Sequence, residues 1–264
     1  MMNVEYDENP SQAQKDIWAR EQSELKLKLI EVDDLSFTSH EKDGKIEFQG
    51  LCYIGGVDVS FLENNNQEAV ASLVVLEYPS LEVIYEDFKM IKLKLPYIAG
   101  YLAFREVDPL LELLDLLKQN KPFIYPQIIF VDGNGTLHPR RFGLACHLGV
   151  LANIPTIGIA KNFLHIDDGY NMTMAYTKIK AKELLKKGGD YYFLQGDSGV
   201  IWGAAVRSLE STTNPIYVSV GHRICLETTL RLVSKCCHYR IPEPTRQADI
   251  RSREFIRKNF PNNS

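Results

Sequence analysis

No stretch of this sequence is long and apolar enough to span a membrane as a helix, which takes about 20 consecutive apolar residues. The opening segment "MMNVEYDENPSQAQKD" has neither the basic start nor the apolar core of a secretory signal, and it does not read as a transit peptide either. Cysteine is scarce and unpaired: five residues, an odd number, so a disulfide framework is not expected. Cys236-Cys237-His238 is too compact for a zinc box, and the thiols fit a reducing, intracellular setting. A basic excess is missing too, because the net charge is −4. That does not advertise a nucleic-acid binder, although a local basic surface can sit on an acidic protein. The chain also lacks a lysine-bearing phosphate loop, a nucleophile elbow, a dinucleotide fingerprint, an internal repeat and a low-complexity linker.

What is present suffices for a sizeable core, with 264 residues of which 45% are hydrophobic. Residues 1–10 are expected to be disordered and 11–264 to form a single domain, as a monomer in the cytoplasm, the nucleus or both. Ser11 can cap a helix running to about Leu29. Residues 48–61, "FQGLCYIGGVDVSF", read as a strand, 64–68 as a turn, and "AVASLVVLEYP" and "LEVIYEDFKMIKL" as two further strands. Short connections make these an antiparallel meander. A helical stretch is expected over 100–106, with Pro109 starting a separate helix, "PLLELLDLLKQN". "PQIIFVDG" and "PTIGIAK" read as strands whose central runs, "IIFV" and "IGIA", are apolar, as in strands buried on both faces. "FGLACHLGVLANI" lies between them as a helix. "VIWGAAVRS" and "PIYVSVG" read as a strand pair, "HRICLETTLRLVSKCCHY" as a helix, and 245–260 as a short last one. This order describes an α/β fold. If the fourth strand joins the sheet parallel to the first, the crossover is right-handed and their aspartates, Asp58 and Asp132, can lie side by side.

Several residues along this frame can carry chemistry. Asp58, between two valines, is either a solvated strand-end acid or half of a carboxylate pair. Asp132 closes a buried strand where open α/β sheets bind ligands, or it caps a turn. Two adjacent carboxylates need a compensating cation, and oxygen donors suit Mg²⁺. Glu106 is a third acid, or an exposed partner of Arg105. Lys161, after a strand, can neutralise phosphate or simply face water. His222 can orient a water or make one helix-end hydrogen bond. Arg140 and Arg141 offer planar forks suited to phosphate, or form a surface pair. Tyr97 and Tyr101 sit on a glycine-broken segment, where a tyrosine can stack on or replace a base, or fill a core.

Six segments in order, "GVDVSF", "PYIAGYLAFRE", "VDGNGTLHPRRFGLACHLG", "GIAK", "SVGH" and "PEPTRQAD", resemble the endonuclease V family across residues 56–249. The resemblance implies a ribonuclease H-like fold, a mixed β-sheet flanked by helices. It implies a Mg²⁺-dependent nuclease, with Mn²⁺ able to substitute, cutting one nucleotide beyond an inosine on its 3′ side. The ends left would be a 3′-hydroxyl and a 5′-phosphate. By motif position, Asp58 and Asp132 would hold metal, Glu106 and His222 would complete the catalytic group, Lys161 would be the active-site lysine and Tyr97 a wedge. Gly100, Leu102, Gly133, His138, Gly143 and Leu144 would line a hypoxanthine pocket. Backbone groups near Gly100 and Gly133 could read the base, whose O6 accepts and whose N1–H donates, once it has left its stack. Where bacterial members carry proline, this chain has Ala99, as animal members do. That implies inosine in single-stranded RNA as the main partner, with deoxyinosine DNA repair as the alternative. A reader of inosine RNA that does not cut it is a rival of another class. The paired aspartates count against that rival.

Overall fold

The structure, a computed structural model, describes residues 9–42, 44–62 and 65–260. Residues 1–8 and the start of the expected turn at 64–68 lie outside this range, and Pro10 is already buried. Ser11 caps the first helix, α1 (Gln12–Lys26), by accepting from the Gln14 N–H. A two-stranded hairpin follows, β1 (Thr38–Lys42) and β2 (Lys45–Gln49). The strand read over 48–61 is therefore two elements. Gly50, at φ +84, turns the chain, and β3 (Tyr53–Leu62) starts anew.

β3 pairs with β4 (Asn65–Glu77), and β4 with β5 (Val83–Lys92), as the antiparallel meander expected. The helix α2 (Ala103–Asn120) then crosses to β6 (Ile128–Asp132), and α3 (Leu144–Ala152) leads to β7 (Thr156–Ala160). Sequence reading placed a helix boundary at Pro109, but α2 runs through it. Proline there denies one N–H to the Arg105 carbonyl, and the apolar face of Leu110, Leu113, Leu114 and Leu117 outweighs that loss. After β7 come α4 (Met174–Leu184), β8 (Tyr191–Gln195), β9 (Ile201–Val206), β10 (Ile216–His222), α5 (Leu226–Lys235) and α6 (Glu243–Asn259).

Eight strands form one mixed sheet in the order β5-β4-β3-β6-β7-β10-β9-β8. Only β3–β6 and β6–β7 are parallel pairs. Alternate residues send side chains to opposite faces. Val57, Leu73, Ile129 and Val131 meet α2 and α3 on one face, while Ile54, Phe130, Ile157 and Val218 pack with residues of α5 and α6 on the other. Among the described residues no helix is long and apolar enough to cross a membrane.

Candidate active site

Two neighbouring strands set the centre. Val57 pairs with Val131 in parallel register, so the next residues, Asp58 and Asp132, stand beside each other. Alternation turns both toward α6. The β3 face there is made by Gly56, Asp58 and Ser60. A Cβ on Gly56 would run into the Pro244 carbonyl, so glycine is what lets the start of α6 lie directly on the strand. α6 then carries Ser252 to within 2.7 Å of the Ser60 hydroxyl, and Ser60 Oγ donates to Asp58 Oδ2 at 3.0 Å.

One turn earlier on α6, Asp249 faces the same space. Lys161, the first residue past β7, places its Nζ 2.6 Å from Asp132 Oδ2 and 3.3 Å from Asp249 Oδ2. Arg253 Nε donates to Asp249 Oδ1 at 2.6 Å. α2, from the opposite face of the sheet, contributes Glu106 in its first turn. These groups line one cleft of about 650 Å³, with Phe61, Pro96, Tyr97 and Leu102 around them. Tyr97 is 64% exposed, so its ring stands in solvent at the rim.

Burial pushes the Asp58 carboxyl up to about 8, and the charges of Asp132 and Asp249 act in the same direction, against Lys161. Glu106 rises to about 8, chiefly by burial, although Arg105 pulls it down. For Lys161, burial disfavours the ammonium, but Asp132, Asp249 and Asp58 outweigh it and hold the group above its ordinary value. Burial also opposes the charge of Asp249, yet Arg253 and Lys161 bring its carboxyl below the usual range. Buried carboxyls that keep protons near neutrality, with further acids beside them, form a site whose charge a cation would stabilise. The oxygen donors fit Mg²⁺ or Mn²⁺. Among the described residues no three acid, imidazole or thiol side chains meet as a finished cage. The Lys161 ammonium instead bridges two of the acids.

The raised Asp58 value has a consequence for stability. Asp58 has a folded-state value near 8 against 3.8 when unperturbed, so what its protonated form contributes is complete below about pH 4 and is lost as pH rises toward 8. Asp58→Asn should therefore match the metal-free wild type at pH 4 and exceed it at pH 8. Linkage sets an upper bound of about 5 kcal/mol on the gain, on the order of 10–20 °C in Tm. Thermal melts across that range check it, and a difference that does not grow with pH contradicts the electrostatics.

The structure thus brings together Asp58, Glu106, Asp132 and Lys161, with Tyr97 and Leu102 beside them. His222 is elsewhere. It pairs with Thr156, at the start of β7, whereas Lys161 follows the end of that strand. That is roughly 16 Å along the strand. Its Nδ1 accepts from the Ile30 N–H at 3.3 Å, and burial followed by Arg223 lowers it to about 4. A neutral, buried imidazole with a backbone partner at the far end of the sheet has no reach to the carboxylates. The fourth group is Asp249, for which the sequence offered one sign, an acid four residues before an arginine in "ADIRSR".

The two arginines expected to bind phosphate are engaged by the protein. Arg140 donates from Nε to Gln22 Oε1 at 2.6 Å and from its NH2 group to the Gly100 carbonyl. Arg141 donates to Glu31 Oε2 at 2.6 Å and to the Ile201 carbonyl at 3.2 Å. The expected pocket residues do pack on one another. His138 Nε2 lies 3.0 Å from the Gly100 oxygen, a Cβ on Gly133 would touch Leu144 at 3.2 Å, and one on Gly143 would strike the Asn134 carbonyl. The Gly100 carbonyl already has partners, and the Gly133 N–H donates to the Ile159 oxygen at 2.9 Å. The two backbone groups expected to meet a base are thus already engaged within the protein.

Residues 33–250 match the family model described as Endonuclease V. The chain is 47% identical to human (Homo sapiens) Endonuclease V, over 98% of this chain and 89% of the relative. It is 49% identical to the mouse (Mus musculus) protein, over 95% and 72% respectively. The crystal structure of the catalytic domain of human Endonuclease V superposes with a TM-score of 0.87 at 47% identity, covering 96% of this chain and 99% of that one. Ciona intestinalis Endonuclease V, solved in complex with a 24mer DNA containing an inosine followed by a ribo-adenosine, gives 0.84 at 37% identity, covering 93% and 99%. The architecture is ribonuclease H-like, and the chain belongs to the Endonuclease V family of endonucleases.

Proposed function

We propose that this protein is a divalent-metal-dependent endonuclease that cuts inosine-containing single-stranded RNA. The bond cut is the second phosphodiester 3′ to the inosine, leaving a 3′-hydroxyl and a 5′-phosphate. The observation that carries this reading is one cleft holding Asp58, Asp132, Glu106, Asp249 and Lys161 beneath an exposed tyrosine. Asp58 and Asp132 would hold Mg²⁺ or Mn²⁺, with Glu106 and Asp249 completing the set directly or through water. When bound, the metal supplies a Lewis acid for the phosphate and for the attacking water. Lys161, released from Asp132 and Asp249, places a positive charge against the reacting phosphate. Glu106, near 8 in the metal-free protein, can hold or yield a proton close to neutrality. Tyr97 occupies the gap left when the inosine leaves its stack, and Leu102, Gly133, His138, Gly143 and Leu144 surround the extruded base. The protein would act as a monomer in the cytoplasm or nucleus, where thiols stay reduced.

RNA is favoured over DNA by Ala99 at the wedge. Without a proline to stiffen it, a tyrosine is poorly braced to pry open a duplex. The Ciona complex points the same way, since its inosine is followed by a ribonucleotide. One sequence made as RNA or DNA, single- or double-stranded, each with a single inosine, tests this at fixed Mg²⁺ and salt. Single-stranded RNA should be cut about tenfold or more faster than the matching DNA, and one ribonucleotide 3′ to the deoxyinosine should restore most of the rate. Equal rates on RNA and DNA would instead make this a deoxyinosine repair nuclease. Binding without cutting in Mg²⁺ would make it a reader.

A further inference from the structure

We infer that helix α1 is a clamp on the loop that carries Tyr97, with Gln22 as its positioning residue. α1 precedes the residues matched by the family model, yet one of its faces reaches the centre of the putting-in apparatus proposed for the base. Gln22 is 1% exposed and uses both ends of its amide. Nε2 donates to the Gly100 carbonyl at 3.3 Å and to the Phe142 carbonyl at 3.2 Å, while Oε1 accepts from Arg140 Nε at 2.6 Å. The Gly100 oxygen is the hub, because Arg140 also donates to it and His138 Nε2 lies 3.0 Å away. Gly100 itself has φ +83, three residues after Tyr97, so this carbonyl fixes the direction in which the tyrosine segment leaves the body.

The turns on either side of Gln22 act in the same sense. Trp18, one turn earlier, stacks on Phe104 with centroids 5.3 Å apart and lies 5.7 Å from Tyr101. Lys26, one turn later, donates to the Arg140 carbonyl at 3.1 Å. Positions 18, 22 and 26 share a helix face. That face ties the segment from Gly100 to Phe104 to the loop from His138 to Phe142. A buried glutamine satisfied by three partners from two loops holds them in one relative arrangement, since losing it removes a bond to Gly100 and leaves the Phe142 carbonyl and the Arg140 Nε–H without their glutamine partner. Tyr97 is then set before substrate arrives, and less ordering remains to be done at the moment of binding.

The effect on cleavage rests on the reading of Tyr97 as the inserting residue, so the test has one arm that does not. In the free protein, Gln22→Met should speed hydrogen exchange of the Tyr101 amide, which donates to Ile98 at 2.9 Å, by about tenfold, and leave β6 and β7 amides unchanged. Unchanged exchange at Tyr101 overturns the clamp whatever the substrate. Should β6 and β7 also exchange faster, the fold has loosened, and Gln22→Glu carries the same test, because it keeps an acceptor for Arg140 and loses both donations. In the second arm, single-turnover cleavage of inosine RNA is compared for Gln22→Met, Tyr97→Ala and the double variant. Gln22→Met alone should cost about tenfold, and on top of Tyr97→Ala it should cost almost nothing. Additive losses mean that Gln22 does not act through Tyr97. A wild type that cuts no inosine oligonucleotide removes the nuclease reading, and the exchange result still decides the clamp.

Discussion

Asp132→Asn should slow single-turnover cleavage of an inosine RNA by about a thousandfold or more while leaving RNA binding largely intact. Asp132 stands beside Asp58 at the ends of parallel strands and accepts from Lys161, so it joins the carboxylate pair to the cation of the proposed centre. Asparagine keeps the shape and removes the charge. Asp249→Asn should lose about a hundredfold or more for the same reason, through a residue on a different helix. His222→Ala should stay within about threefold, because its ring lies at the far end of β7 and serves the backbone at Ile30. Melting curves and binding in Ca²⁺ separate a lost reaction from a lost fold. Near wild-type cutting by Asp132→Asn would falsify the metal centre, and a large loss in a well-folded His222→Ala would return that histidine to the chemistry.

Gly56→Ala is expected to damage the enzyme about as severely from outside the cleft. The added methyl group meets the Pro244 carbonyl, which is backbone and cannot swing aside. α6 must shift or tilt, and Asp249 and Ser252 travel with it. Displacing one catalytic group by about 1 Å costs on the order of a hundredfold, so cleavage should fall by at least that much. The fold should lose roughly 1–3 kcal/mol as well. The informative comparison is Gly55→Ala. Its Cβ would meet only the Pro126 and Ile129 side chains, at 3.1–3.2 Å, on the opposite face of β3. That variant should keep far more activity. Equal losses in the two would show that packing of the strand, and not the seating of α6, governs the site.

Much of this arrangement was legible in the sequence because strand physics is local. Runs such as "IIFV" and "IGIA" are apolar at every position, as expected for a strand covered on both faces. Once the first and fourth strands are parallel neighbours, the pairing of Asp58 with Asp132 follows from alternation. Asp249 was hidden because its relevance depends on where a helix rests on the sheet, and that is decided by a glycine 193 positions away, at residue 56. His222 misled for the complementary reason. It ends a strand near a glycine, as the other candidates do, but its strand is antiparallel to β7, so its end points to the opposite rim. Direction within the sheet is a tertiary fact. The paired arginines looked like a phosphate site because local sequence cannot show that Gln22 and Glu31 already claim them.

The hydroxyls of Ser60 and Ser252, which meet across 192 residues of chain, also fix when this enzyme can begin to work. Contacts of such long sequence separation form late, because the entropy of closing the loop must be met before they repay it. A chain emerging from the ribosome can complete the β3–β6–β7 core, and so hold Asp58 and Asp132, well before α6 exists. Until α6 docks on Gly56, Asp249 and its arginine are missing and Lys161 has one anchor instead of two. A chain that lacks α6, whether partly made or truncated before it, should therefore be inert as a nuclease even with the β3–β6–β7 core in place.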